Sequence, residues 1–597
     1  MAKIIYACSR RIPFGKSEHR KLTQICKRLE PDNLSLPASH KVVVQRTLAY
    51  GIMNDRNALI KDHSVLLGCL YGKDQPWEKP RGQYPDGSYA IFRNGNDCLE
   101  VVSDAAASRT IWYYFDDEHF VASTSQRAIV MFVGSFSFND QVIPWMLSTG
   151  SLGPDASYDK RIKRLPPESS VVLDKDRWSI RADTRPIAFS ANSRSPSDHK
   201  ELLKNEIRTT VQSLNQPGHL RLGDYLLPLS GGYDSRAILC FLRERAVSDE
   251  LTAITWGLEQ NTHRKGNDAA VARELASKLG VKHRYFHTDV AAGSVEKVLE
   301  RFICCGEGRV DLPSAYMDGL ETWRKLLEEE NCGGIIRGDE GFGWVPVSSE
   351  PGVRLNIGVG LCADYRNLEG VIEKFQLPAQ ELPADFHRRK GETLSTWRDR
   401  LYHAYRLPTV LAGYSDVKLS YVEVINPLLA RSILHRVREL PDSLRTDKTL
   451  FKEIVNSVSP DVPYATEGAN ANPYGLLRKR EIVELMRKEL QSERAKRIFN
   501  ARFLEYVLRG MRDEKSANKQ GNSGSRRSIK ALVPRVIRAW IRERLAKPSL
   551  DGNVLAFRVF IVLRMDQILN CDLAELAAQD LAAMQAAATH EAAVATG

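Results

Sequence analysis

The sequence predicts a mixed α/β protein built from two main units, a β-rich N-terminal region and a doubly wound parallel sheet, with a helical C-terminal extension. Three observations carry this. Residues 1 to 185 hold short β-rich runs separated by Gly, Asp and Asn turns. A short apolar strand at Leu226–Leu229 runs through Ser230-Gly231-Gly232 into an apolar helix. Beyond it, strand, helix and strand recur at the spacing of a parallel βαβ unit. At 597 residues the chain is too long for one core.

In the first unit the β-rich runs include Lys41–Val44, Ser88–Phe92 and Thr110–Phe115. Residues 186–199 are rich in Ser, Pro and Asn and read as a linker, placing domains at 1–185 and 200–511. A helix is expected over Glu201–Leu214, strands over Leu251–Trp256 and His283–His287, and a helix over Asp268–Leu279 that ends at Gly280. Ile335-Ile336 reads as a further strand, running into Gly338-Asp339-Glu340. Ligands of open α/β sheets sit at the carboxyl ends of the strands, so the loops after 226–229, 251–256 and 335–336 are expected to converge. From about 385 the chain reads as helical. Residues 512–526 read as a mobile linker, and 527–597 as a basic, then Ala-rich, helical extension.

The composition is that of a folded globular chain: 43% hydrophobic and 27% charged. No apolar run is long enough for a transmembrane helix. The ten cysteines form no CxxC and no zinc spacing, which suits free thiols in the cytoplasm. The net charge is +11, which favours an anionic ligand. Arg526 to Lys547 holds eight basic residues and one acidic residue, so it supplies +7 of this excess. That segment reads as a helix with a solvated basic face or as a membrane-surface contact over 527–547. With the charge concentrated there, no nucleic-acid partner is expected for the body.

Chemistry concentrates at Leu229-Ser230-Gly231-Gly232-Tyr233-Asp234-Ser235. A Ser-Gly-Gly turn entering a helix presents backbone N–H groups and a positive dipole end to an anion, and the glycines admit close approach. No Lys-Ser/Thr follows, so this is not the common nucleoside-triphosphate P-loop. Thr255 and Gly257 end a neighbouring strand where backbone can read a base edge. Asp234 and Asp339 are hard oxygen donors suited to Mg²⁺ beside phosphates.

Together these segments resemble the asparagine synthetase family. Its S-G-G-x-D-S loop matches Ser230–Ser235, and its helix ending Leu-Gly-x-x-His matches Asp268–His283. Its A-D-E-L-F-G-G-Y resembles Gly338–Trp344, and its E-A-R-V-P-F-L-D resembles Glu423–Leu429. The N-terminal unit resembles the family's glutaminase partner, an Ntn-type αββα amidotransferase fold. The matching segments are Asp86–Ala90, Asp104–Tyr114, Ser123–Ala128 and Arg164–Glu168. Where that partner has an N-terminal nucleophilic Cys, this chain has Ala2, and Ala supplies no thiolate.

The resemblance implies an AMP-forming amide ligase that uses ATP and Mg²⁺. It would adenylate a carboxylate and pass it to an amine other than glutamine-derived ammonia, as β-lactam synthetases and lasso-peptide cyclases do. ATP would lie on Leu229, Ser230, Gly231, Gly232, Asp234, Ser235, Thr255, Gly257 and Gly338, with the metal on Asp234 and Asp339. Lys448 and Glu423 are the implied catalytic residues; Glu423 reads equally as a base or as an ion-pair partner of Lys418. The family's late phosphate-binding Lys has no counterpart in Asp461–Glu467; Lys448, Lys452 or a later Arg are candidates. Implied partners are a small-molecule or peptide acid and amine, with a precursor peptide or maturation protein. An RNA-modifying enzyme with a similar loop and a non-catalytic binding protein are the alternative classes.

Overall fold

The computed structural model describes residues 3–72, 76–214, 221–244, 251–290, 294–514 and 547–595. The expectations for Ala2 and for the basic 527–546 segment lie outside the described residues, as does nearly all of the linker predicted at 512–526.

Residues Lys3 to Thr184 form two six-stranded antiparallel sheets. Lys3–Ser9 lies inside the first, between Leu48–Met53 and His119–Ser123. Gly87–Asn94 lies inside the second, between Ser64–Leu70 and Cys98–Ser103. Alternation of side chains along each strand sends Ile4, Tyr6, Val65, Leu67, Phe92 and Val101 into one shared core, so the sheets pack face to face. The opposite side of the first sheet takes the helices Lys16–Arg28 and Gln126–Val133. The outward side of the second packs Leu66, Tyr84, Tyr89 and Ile91 together and meets the turn Pro427–Leu429 of the C-terminal unit. A second helical layer belonging to this unit, as αββα implies, is replaced there by contact with the rest of the chain.

The linker expected through 199 is shorter. Ser190 and Asn192 bond through their backbones to Arg438 and Glu439, and a helix starts at Pro196. Ser195 caps it by accepting the Asp198 N–H, with proline in the first turn.

The five strands of the second unit are all parallel. Their order is Lys282–His287, Thr252–Gly257, Tyr225–Pro228, Gly334–Ile336, Glu423–Ile425. The helices Tyr233–Arg243 and Asp268–Lys278 follow the first two strands in chain order; the first begins four residues before the apolar run from Ala237, and the second ends one residue short of Leu279.

The C-terminal extension is not peripheral. One helix runs Gly552–Ala595, and Leu555, Phe557, Val559, Phe560, Ile561 and Leu563 along it are all buried. A helix apolar on every side belongs inside a protein. This one packs against the helices Val142–Thr149 and Gln126–Val133 of the first unit and Arg480–Leu490 of the second. Asp572, at the start of the Ala-rich stretch, is fully buried and pairs with Arg127 and Arg28 at 2.8 Å each. Among the described residues no helix is long and apolar enough to cross a membrane.

Candidate functional site

The carboxyl ends of the central strands meet as their order requires. Leu229 continues the sheet by donating to Ile254 O at 2.8 Å, and Gly232 caps the helix Tyr233–Arg243. The next loop is pressed against this turn: a Cβ at Gly338 would lie 2.9 Å from the carbonyl carbon of Asp234 and the nitrogen of Ser235. Only glycine permits that approach. Between them is a cavity of about 250 Å³, whose lining includes Ser230, Asp234, Thr255, Asp268, Arg337 and Asp339. Leu229, Ser235 and Gly338 also line it.

The loop N–H groups are bonded within the protein. Ser230 donates to Ser235 Oγ at 3.0 Å, Gly232 to Ser230 Oγ at 3.2 Å, and Gly231 to Asp268 Oδ1 at 3.0 Å. The open anion nest expected from sequence is therefore self-satisfied, as shielded N–H groups must be. An entering phosphate has to exchange with two hydroxyls and a carboxylate.

Charge is dense. Lys448 Nζ lies 3.0 Å from Asp234 and 2.8 Å from Glu340. Burial and then Glu340 push Asp234 up to about 6, against the pull of Lys448. Burial alone would depress Lys448, but Glu340 and Asp234 hold its ammonium above the ordinary lysine range. Arg337 donates to Asp339 Oδ1 at 2.8 Å. Asp234, Asp268, Asp339 and Glu340 against Arg337 and Lys448 leave a formal excess of two negative charges. That excess and the hard oxygen donors fit Mg²⁺, which takes one or two carboxylates together with phosphate oxygens. Among the described residues no three ligating side chains are gathered into a site, and the donors of Asp234 and Asp339 face cations.

Thr255 donates to Leu229 O at 2.6 Å and meets His283 Nε2 at 2.8 Å. Burial, reinforced by Arg273, lowers His283 to about 4 and keeps it neutral. Gly257 does not line the cavity. A Cβ there would lie 2.5 Å from Ala469 O, which also accepts from Leu258 N and Asn261 Nδ2. This places segment 465–470 across the loops: Ala465 N donates to Gly231 O at 3.0 Å, and Asn470 reaches the cavity. Lys452 points elsewhere, to Asp447 at 2.7 Å.

Glu423 is corrected. Paired with Gly334 at the start of its strand, it lies four residues back from the level of Gly338, about 13 Å along the sheet. It is 1% exposed and its carboxylate meets Arg109 of the N-terminal unit. Burial would raise its pKa, but Arg109 holds it below the ordinary range. It belongs to the junction between units, where Arg309 pairs with Asp416 and Lys3 with Glu307, all buried. Lys418 is not its partner; its Nζ donates to Tyr414 O at 2.5 Å.

Sequence reasoning missed Asp268 as the acceptor of Gly231, and missed Arg337, Glu340 and Asn470. Asp268 opens a helix whose register was read correctly, and Arg337 and Glu340 flank a recognised Gly-Asp pair, so local signals existed for three. Asn470 is brought in by a segment far along the chain from the strand-end loops and carries none.

Comparison with known proteins adds one sequence family. Residues 224–317 match asparagine synthase. No curated protein matches the chain. Two solved structures are similar at 9% identity each. One is the glutamine phosphoribosylpyrophosphate amidotransferase from B. subtilis complexed with ADP and GMP (47% of this chain, 90% of that one, TM-score 0.20). The other is described as the allosteric regulatory enzyme of purine biosynthesis (47% and 80%, TM-score 0.21). Superpositions this loose bear no weight on the fold.

Proposed function

We propose that this chain, whose residues 224–317 match asparagine synthase, is an ATP-dependent, AMP-forming ligase of the asparagine synthetase superfamily. It adenylates a carboxylate and transfers the acyl group to an amine other than glutamine-derived ammonia. The observation that carries the reading is Gly338 seated on Asp234, which places an acidic, cation-seeking cavity directly over a Ser-Gly-Gly turn and helix N-terminus.

In this mechanism the N–H groups of Ser230, Gly231 and Gly232 exchange their internal partners for phosphate oxygens, and the dipole of the helix Tyr233–Arg243 favours the charge. Lys448 keeps Asp234 and Glu340 together despite their repulsion. Asp234, with Asp339 beside it, would hold Mg²⁺, which neutralises charge on departing pyrophosphate. The substrate carboxylate attacks the α-phosphorus, the bond to pyrophosphate breaks and an acyl-adenylate forms. Attack by the amine on the acyl carbon then releases AMP. Segment 465–470 shields the intermediate from water.

Buried ion pairs line the junction between the two units. Arg109 of the N-terminal unit pairs with Glu423, and Arg309, which also donates to Thr110 of that unit, pairs with Asp416. With Ala2 in place of a nucleophilic Cys, the N-terminal unit is a degenerate amidotransferase-like scaffold. A carboxylate and an amine on one small molecule or peptide, as in β-lactam synthetases and lasso-peptide cyclases, suit this arrangement.

The test is exchange of labelled pyrophosphate into ATP over a panel of amino-acid and peptide acids. Carboxylate-dependent exchange, lost in Asp234→Ala, is expected. A wild-type protein that binds no MgATP refutes the proposal.

A further inference from the structure

Resting on the ligase reading above, we infer that Arg337 supplies the phosphate-facing cation that segment 461–470 lacks. Segment 461–470 contains no Lys or Arg, yet it lies on the pyrophosphate loop through Ala465 and Gly231. A polyphosphate there still needs a positive partner as charge moves onto the departing pyrophosphate.

The other cations near the cavity are committed. Lys448 is held between two carboxylates. Arg236 lies 3.9 Å from the Tyr464 ring centroid and donates to the carbonyls of Val462 and Pro463. Lys452 is turned to Asp447. His283 is neutral. Among the described residues that line the cavity, Arg337 is the one cation.

Its geometry is half-committed. The backbone N–H donates to Ile425 O at 2.8 Å, which anchors Arg337 at the end of its strand. Nη2 is held by Asp339. Nη1 is shielded from water and has no acceptor among the described residues. A guanidinium fork with one arm fixed and the other unpaired has a donor to give an entering phosphate oxygen, once the atoms that shield Nη1 move aside. Asp339 thus positions Arg337 as well as offering an oxygen to a metal.

The experiment is calorimetric titration of wild type, Arg337→Ala and Arg337→Lys with ATP, inorganic pyrophosphate and AMP, each in Mg²⁺. Thermal melts identify any misfolded variant. Arg337→Ala is expected to weaken ATP and pyrophosphate at least tenfold while AMP stays within twofold. Arg337→Lys should fall between, since it keeps charge but loses the fork. Unchanged pyrophosphate affinity in Arg337→Ala overturns the inference, and so does equal loss of AMP, which would mark a role in holding the loop. If wild type binds neither ATP nor pyrophosphate, the ligase reading falls. If wild type binds both and the variants match it, only the role of Arg337 falls.

Discussion

Replacing Arg109 by Met leaves the Glu423 carboxylate without its guanidinium at a site where the two side chains are 4% and 1% exposed. Breaking one partner of a buried pair costs about 3–5 kcal/mol, because the remaining charge is stranded away from water. A domain near 200 residues loses roughly 2–4 °C per kcal/mol, so the melting midpoint should fall by about 6–20 °C. Glu423→Gln should also lower the midpoint, since it removes the carboxylate that Arg109 meets. The double variant Arg109→Met/Glu423→Leu should recover most of the loss, because paired apolar replacements of buried ions are often neutral. Differential scanning calorimetry on the full chain reads all three, with transitions treated separately because two units need not melt as one. Single variants that melt with the wild type would refute the structural assignment of Glu423 and reopen a chemical role for it.

Gly338→Ala should cut MgATP affinity at least tenfold in calorimetry, because its Cβ would meet Asp234 and Ser235 backbone atoms at 2.9 Å. Since Asp234 is raised to about 6 from an ordinary 3.8, MgATP binding should strengthen as pH rises through 6, and Asp234→Asn should flatten that dependence. Glu168 works in the opposite sense. Burial would raise it, but His435, Arg438 and Arg431 hold it at about 2, below its ordinary 4.5. Its stabilising effect is thus full above 4.5 and lost as pH falls towards 2; Glu168→Gln should remove that part of the acid transition in circular dichroism. Asp572→Ala strands Arg127, 2% exposed, and should destabilise by about 3 kcal/mol or more, read as a lower thermal midpoint.

The sequence by itself determined whatever is governed by local pattern. Short β-rich runs between Gly, Asp and Asn turns marked the β-rich first unit. The Leu226–Arg236 stretch marked a strand, a turn and a helix start, and the spacing to His287 marked a parallel sheet. Asp234 was legible as part of a recognisable motif, whereas Lys448 was one candidate among several, and the fold set it beside Asp234. Tertiary structure decided what depends on residues far apart. It moved Glu423 from the site to the junction, because strand register sets which end of the sheet a residue occupies. It gave Gly231 to Asp268 and left Arg337 half-paired, because a shielded donor takes whatever acceptor the fold delivers. It also buried the first half of the expected helical extension, since burial on every side follows from what surrounds a segment and not from its own period.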